Sequence, residues 1–299
     1  MPREPREPGP ELVDPLLDWY AASARDLPWR RPDASPWAVL VSEVMLQQTP
    51  VARVLPAYES WLTRWPHPAD LAAAEPGDAV RAWGRLGYPR RALRLCECAV
   101  QVRDRFAGEL PDDVDTLLTL PGVGAYTARA VAAFAFGARV PVVDTNVRRV
   151  VARAVDGAAQ AGPPAVTRDL AAVERLLPAA PARAARVSVA LMELGALVCT
   201  ARAPRCAQCP LRSRCAWQRA GAPAWSGPVA RTQRFAGTDR EVRGRLMAVL
   251  RDAEGPVAKD ALDLVWRDDV QRERALDSLA VDGLVDPRPD GTYALPGPR

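Results

Sequence analysis

The chain has 299 residues, 48% hydrophobic and 25% charged, with a formal net charge of +4 at pH 7. That composition excludes a fibrous or intrinsically disordered protein and leaves room for two or three domains with cores of their own. No segment approaches the roughly 18 apolar residues of a membrane span, and the charged, proline-rich start MPREPREPGP has no apolar run behind it, so no membrane association and a cytoplasmic location are expected.

The basic excess permits a nucleic-acid partner without demanding one. It is also one-sided, because Lys259 is the sole lysine and arginine supplies the remainder of the 40 basic residues. A GC-rich genome accounts for the bias, yet it has a chemical consequence: lysine nucleophiles are almost absent. The single histidine, His67, sits in Trp65-Pro66-His67-Pro68, a loop-like and solvent-exposed setting, which argues against a catalytic histidine.

In chain order, residues 1–10 read as a disordered tail. From Glu11 to about Trp217 apolar residues recur at three- and four-residue spacing: Leu12, Leu16 and Tyr20; Leu40 and Val44; Leu55, Tyr58 and Leu62; Val80 and Trp83; Leu176, Val187, Leu191 and Leu194. No alternating strand pattern interrupts them, so residues 11–220 are expected to form a two-lobed, all-helical domain, with Asp156 to Pro164 as its longest loop. Residues 221–238, rich in Gly, Pro, Ser and Arg, read as a linker. In 239–299, helices are expected around Val242–Leu250, Asp260–Trp266 and Arg272–Leu279, then a hairpin of Leu284–Asp286 and Thr292–Leu295 about an Asp290-Gly291 turn. That order predicts a winged-helix-like C-terminal domain on a mainly α protein.

Four of six cysteines crowd into Cys199-x6-Cys206-x2-Cys209-x5-Cys215, which suggests a metal centre rather than a disulfide set. The spacing suits one iron–sulfur cluster or one zinc ion about equally. Cys96 and Cys98 stand apart and read as partly buried thiols. Leu120-Pro121-Gly122-Val123-Gly124-Ala125-Tyr126 places Gly122 and Gly124 in a tight turn that opens a helix, a helix-hairpin-helix whose backbone N–H groups can hold a DNA phosphate, although such turns also merely join helices. Val143-Asp144-Thr145-Asn146-Val147 follows, putting a carboxylate at another helix start 18 residues after Tyr126, where it would serve as an N-cap at least. On a Trp37-to-Gln48 helix, Trp37, Leu40, Val41, Val44 and Met45 form one arc, with Glu43 and Gln47 beside it. A carboxyl on the border of a core can hold a proton and donate it as a general acid; the plainer reading is a half-exposed helix glutamate.

Taken together, Leu27-Pro28-Trp29-Arg30, Ser42-Glu43-Val44-Met45-Leu46-Gln47-Gln48-Thr49, Gly87-Tyr88, the hairpin, Asp144 and Glu193-Leu194-Gly195-Ala196-Leu197-Val198-Cys199-Thr200 occur in one order over about Asp18 to Trp217. This run resembles the helix-hairpin-helix, Gly/Pro-Asp superfamily of DNA glycosylases, and within it the MutY-type adenine glycosylases. The resemblance implies an endonuclease III-like fold and one [4Fe-4S] cluster on Cys199, Cys206, Cys209 and Cys215. The substrate it implies is double-stranded DNA with adenine mispaired with 8-oxoguanine or guanine, processed by a monomer in base excision repair. It further implies that Glu43 protonates the adenine ring, that Asp144 stabilises the cationic sugar or bonds to it, and that Gln48, Thr49, Leu86 and Tyr88 wedge into the stack or meet the opposite base. Gly122 and Gly124 would grip the backbone, and Arg30 and Arg31 would lie near the base pocket. Bifunctional relatives carry lysine where Tyr126 stands, so a monofunctional enzyme is implied.

Two departures from the family's pattern matter, the first shared with endonuclease III-like enzymes and harmless, the second bearing on specificity. Thr145 replaces the glycine of many such enzymes, and Val189 stands where a Glu or Gln often reads the adenine edge. A different target base such as thymine or uracil therefore remains an alternative, as does a non-catalytic iron–sulfur protein that binds DNA. The C-terminal residues are too few for the Nudix-like domain of longer relatives, and poorer discrimination of oxidised guanine from guanine is expected.

Overall fold

The helical spacing of apolar residues is realised almost throughout, in a computed structural model that describes residues 10–227 and 235–297. Residues 1–9 of the expected tail and residues 228–234 of the expected linker lie outside the described residues. The helices are α1 (Pro10–Ser23), α2 (Pro36–Leu46), α3 (Val51–Arg64), α4 (Pro68–Ala72), α5 (Pro76–Trp83), α6 (Arg90–Arg105), α7 (Val114–Leu117), α8 (Ala125–Phe136), α9 (Thr145–Ala154), α10 (Val166–Glu174), α11 (Pro181–Leu197) and α12 (Ala216–Arg219). Proline opens α2, α4, α5 and α11, a position where its missing N–H costs nothing and its fixed φ suits the helix. Among the described residues no helix is long and apolar enough to cross a membrane.

The chain divides into two compact units that do not follow sequence order. One holds α1, α7 and α8–α12; the other holds most of α2, all of α3–α6 and the C-terminal elements. In the first, Leu12 and Leu16 of α1, Val147, Val150 and Val151 of α9, and Val187, Leu191 and Leu194 of α11 share one core. In the second, the indole edges of Trp61 meet Trp65 and Trp83 at centroid distances of 4.7 and 5.7 Å. Burial pushes the thiols of Cys96 and Cys98 on α6 up to about 12, so both are inert, buried groups.

The C-terminal elements are α13 (Asp239–Asp252), β1 (Val257–Ala258), α14 (Lys259–Asp263), α15 (Asp269–Val281), β2 (Asp286–Pro287) and β3 (Thr292–Ala294). The strands form a small antiparallel sheet in the order β1-β3-β2, with Val257 opposite Tyr293 and Asp286 opposite Ala294. The three helices and the hairpin match the expected winged-helix-like order, and the Asp290 carboxylate accepts from Thr292 N at 3.0 Å to close the turn. Two details differ. Strand β1 was not foreseen, because two residues are too few to show an alternating pattern. Leu284 and Val285, expected in the hairpin, are instead buried core residues ahead of β2.

Glu193, fully buried on α11, anchors the segment after α1. Arg25 grips it through Nε (2.8 Å), a second guanidinium nitrogen (2.6 Å) and its backbone N–H (3.1 Å), and Arg30 lies 3.0 Å from the same carboxylate. Burial alone would raise the pKa of Glu193, but the Arg25 hydrogen bonds and the Arg30 charge hold it below the ordinary glutamate value. A depressed carboxylate stabilises the fold above its unfolded-state pKa, and that contribution is lost as pH falls through the folded-state value. Glu193→Gln is therefore expected to lower stability by about 3 kcal/mol near neutrality. In urea unfolding the gap from the parent chain should narrow as pH drops below the glutamate range; a gap independent of pH would contradict the ionised pairing.

Candidate active site

Glu43 lies in α2, whose arc of Trp37, Leu40, Val41, Val44 and Met45 is buried as the spacing predicts. The glutamate itself is only 5% exposed, which removes the half-exposed reading. After α2, Gln48 takes a left-handed conformation (φ +58°) and is exposed, and Tyr88 does the same at φ +48°. Side chains other than glycine rarely adopt these angles, which cost on the order of 1–3 kcal/mol and persist only where neighbours impose them. The neighbours here are visible: Thr49 Oγ1 donates to Leu86 O at 3.1 Å, Trp83 Nε1 donates to Gly87 O at 2.9 Å, and Arg91 donates to Gln47 O. Thr49 and Leu86, expected to face DNA, are buried. They brace the two loops from beneath and leave Gln48 and Tyr88 as the projecting side chains.

The expected helix-hairpin-helix is formed by α7, the glycine turn and α8. Asp113 caps α7 by accepting from Thr116 N at 2.8 Å. Gly122 has φ +78°, and a Cβ there would lie 2.8 Å from Arg94 Cβ, so the position is closed to any larger residue. Gly124 precedes α8 with no side-chain cap and with nothing within 4 Å of where a Cβ would sit. Gly124 has no side chain with which to cap α8, and a glycine turn at a helix start is a place where an anion can approach the backbone. Tyr126, in the first turn of α8, packs half-buried against Ala130, Ala133, Val142 and Ala185.

Asp144 is the N-cap of α9, and both of its oxygens are engaged: Oδ1 accepts from Val147 N at 2.7 Å and Oδ2 from Asn146 Nδ2 at 2.8 Å. Burial raises its pKa despite these bonds and the nearby Arg149 charge. Asn146 is itself held, since its Oδ1 accepts from Arg149 at 2.8 Å. The same Arg149 donates to Gly195 O (2.7 Å) and Cys199 O (2.6 Å). A continuous hydrogen-bonded chain therefore runs from Asp144 through Asn146 and Arg149 to the first cysteine of the loop.

One turn further along α9, Arg153 donates to the carbonyls of Ala159 (2.9 Å), Thr200 (2.7 Å) and Ala201 (3.2 Å), lies 3.5 Å from Cys199 Sγ, and stacks 5.0 Å from the Trp217 ring centroid. Gln218 approaches Cys206 Sγ at 3.3 Å, and Cys215 Sγ approaches Arg153 O at 3.3 Å. No disulfide joins these cysteines. Cys199, Cys206, Cys209 and Cys215 all line one small cavity with Arg153, Trp217 and Gln218. Burial, with neighbouring sulfurs adding to it, pushes Cys209 up to about 11 and raises Cys206.

Of the remaining expected residues, Arg30 is mostly buried against Glu193, and Arg31 is exposed and paired with Asp26 at 3.0 Å. Val189 is half-buried on α11. Arg25, Asn146, Arg149, Arg153 and Gln218 were not singled out in the sequence. Asn146, Arg149 and Arg153 do share one helical face at three- and four-residue spacing, a pattern that was available but had no obvious partner.

Gly195 lets α11 approach α9, since a Cβ there would meet Asn146 Cβ at 2.7 Å and Asn146 O at 2.9 Å. In open space a helical Gly→Ala change would stabilise by about 1 kcal/mol. Here overpacking, costing about 1–3 kcal/mol, should outweigh that gain. Gly195→Ala is expected to lower the midpoint of thermal unfolding, and an increase would show that the two helices can separate freely.

A family model described as the HhH-GPD superfamily base excision DNA repair protein matches residues 41–175. The chain is 62% identical over 284 residues to an adenine DNA glycosylase of Mycolicibacterium smegmatis, covering 94% of this chain and 95% of that protein. It is 58% identical over 297 residues to an adenine DNA glycosylase of Mycobacterium tuberculosis, covering 98% and 97% respectively. Its fold matches a thermostable thymine-DNA glycosylase with a TM-score of 0.62 at 27% identity, over 70% of this chain and 95% of that one. With near-complete coverage by such relatives, the chain belongs to the HhH-GPD superfamily of base excision DNA repair proteins, among its adenine DNA glycosylases.

Proposed function

We propose that this enzyme hydrolyses the N-glycosidic bond of adenine mispaired with 8-oxoguanine or guanine in double-stranded DNA, and leaves the strand uncut. The observation that carries the reading is a pair of carboxyl groups in unlike settings: Glu43 buried on α2 beside an apolar helical arc, and Asp144 held at a helix N-terminus by two donors. Glycosidic cleavage asks two carboxyl groups to do different work, one as proton donor and one as anion. Glu43 gives its proton to the adenine ring, the glycosidic electron pair leaves with the base, and the sugar becomes cationic. Asp144 offsets that positive charge, by proximity or by transient bonding, until water adds to the sugar. Burial makes the Asp144 carboxylate more basic and thus a stronger partner for a cation.

Strand cleavage through a lysine imine lacks its nucleophile, since Tyr126 occupies the matching position and the sole lysine is in the C-terminal segment. Desolvation works against the charge of Lys259, but Asp263 and Glu273 bind its ammonium and keep its pKa above the usual value. The glycine turn of Gly122 and Gly124 at the start of α8 holds a phosphate, while Gln48 and Tyr88 enter the space left when the target nucleotide leaves the stack. Arg30 and Arg31 border the base pocket. A thymine or uracil target is the second reading, favoured by Val189, which offers the flipped base no hydrogen bond.

Cys199, Cys206, Cys209 and Cys215 would hold one [4Fe-4S] cluster. The four thiols line one cavity, a disposition that suits a polynuclear cluster. When bound, the cluster would cross-link the 199–215 loop through iron–thiolate bonds.

Glu43→Gln is expected to leave duplex binding little changed and to reduce single-turnover excision by a factor of about 100 or more. Undiminished excision would remove Glu43 from the mechanism. Because Asp144 must be ionised and its pKa is raised, the excision rate should rise with pH through an ionisation above the ordinary aspartate value, and Asp144→Asn should abolish it. A pH–rate profile flat across that range would contradict the role of Asp144.

A further inference from the structure

The C-terminal elements are attached to the α5–α6 side of their own unit. Gly77 N donates to Pro296 O at 2.7 Å, Arg81 donates to the carbonyls of Arg251 and Ala253, Arg251 donates to Gly84 O, and Asp282 receives Arg90 from α6 and Arg243 from α13. This attachment brings the first turn of α13 over the Tyr88 loop. The Arg240 guanidinium lies 4.8 Å from the Tyr88 ring centroid, and the Arg91 guanidinium lies 4.7 Å from the same ring.

Two like charges thus share one exposed ring, and among the described residues no carboxylate pairs with Arg240. The carboxylates that flank Arg240 in the first turn of α13 are committed elsewhere, Asp239 to Arg274 and Glu241 to Arg245. Folding has set two mutually repelling guanidinium groups, Arg91 and Arg240, against an aromatic side chain that is itself held in a strained conformation. Such an arrangement is relieved by a polyanion, and a projecting ring flanked by guanidinium groups suits nucleic acid. The usual reading surface of a winged helix, here α15, is poorly suited to that role. It carries Asp269, Glu273 and Asp277, while its cations are committed: Arg272 to Asp263 and Asp269, and Arg274 to Asp239.

We propose that the C-terminal domain is part of the DNA-binding surface through Arg240, which brackets Tyr88 together with Arg91 and neutralises a backbone phosphate of the duplex. The inference rests on the reading of the chain as a DNA glycosylase, and its test reads binding rather than excision. Full-length, cluster-loaded protein is titrated with duplexes carrying a non-hydrolysable adenosine analogue opposite 8-oxoguanine or opposite guanine, over a series of salt concentrations.

Arg240→Ala should weaken binding about five-fold for both partner bases and reduce the slope of log affinity against log salt by about 1, whereas Arg240→Lys should restore the slope. Unchanged affinity and slope in Arg240→Ala would overturn the proposal. A loss confined to one partner base would also overturn it, since Arg240 would then be reading a base edge. So would equal losses of melting temperature in the Ala and Lys variants with the salt slope intact, since the contact would then serve only the fold. A parent chain that binds DNA but releases no adenine would refute the proposed activity and leave this inference standing.

Discussion

The start of α9 is the constraint on which Asp144 and the cysteine loop both depend. A single turn satisfies its first donors with Asp144, fixes that carboxylate with Asn146, and fixes Asn146 with Arg149. Hydrogen bonds to charged groups contribute about 1.5–3 kcal/mol each, and more is lost when one partner is removed and the other stays buried. Because Arg149 and Arg153 also hold the carbonyls that lead into the cysteine loop, the position of Asp144 and the shape of that loop are parts of one hydrogen-bonded network. Gly195 is what allows the network to close, since α11 must come within van der Waals reach of Asn146.

The near-exclusive use of arginine takes on physical meaning in this light. Arg25 binds Glu193 with two guanidinium nitrogens, and Arg149 and Arg153 each satisfy several carbonyl groups that face different directions. A planar fork with five donors can do this, whereas the single ammonium of a lysine cannot. The arginine bias is thus structurally committed at these positions. It also leaves the chain with one lysine, bound between two carboxylates and unsuited to nucleophilic attack.

Much of this was legible in the sequence. Helical stripes located the helices, the Trp37–Met45 arc put Glu43 on the border of a core, short of the burial the structure gives it, and the glycine turn marked the entry to α8. The chain order of Glu43, Tyr126, Asp144 and the cysteines pointed to the family that the relatives establish. What the sequence did not disclose depends on long-range contact. Glu193 and Arg25 are 168 residues apart, and no local pattern announces their pairing. Thr49 and Leu86 occupied positions read as DNA-facing, yet a hydrogen bond between their loops draws both inward. The association of the C-terminal elements with α5 and α6 rests on backbone carbonyls, which carry no residue identity, so composition marked a separate domain without marking where it attaches.

The central claim is that the enzyme removes adenine and does not cut the strand. The direct measurement is base release from a duplex carrying adenine opposite 8-oxoguanine, using cluster-loaded protein, with strand scission scored before and after alkali. Free adenine accompanied by nicking only after alkali is the result this account predicts. Absence of adenine release, or scission without alkali, would contradict it.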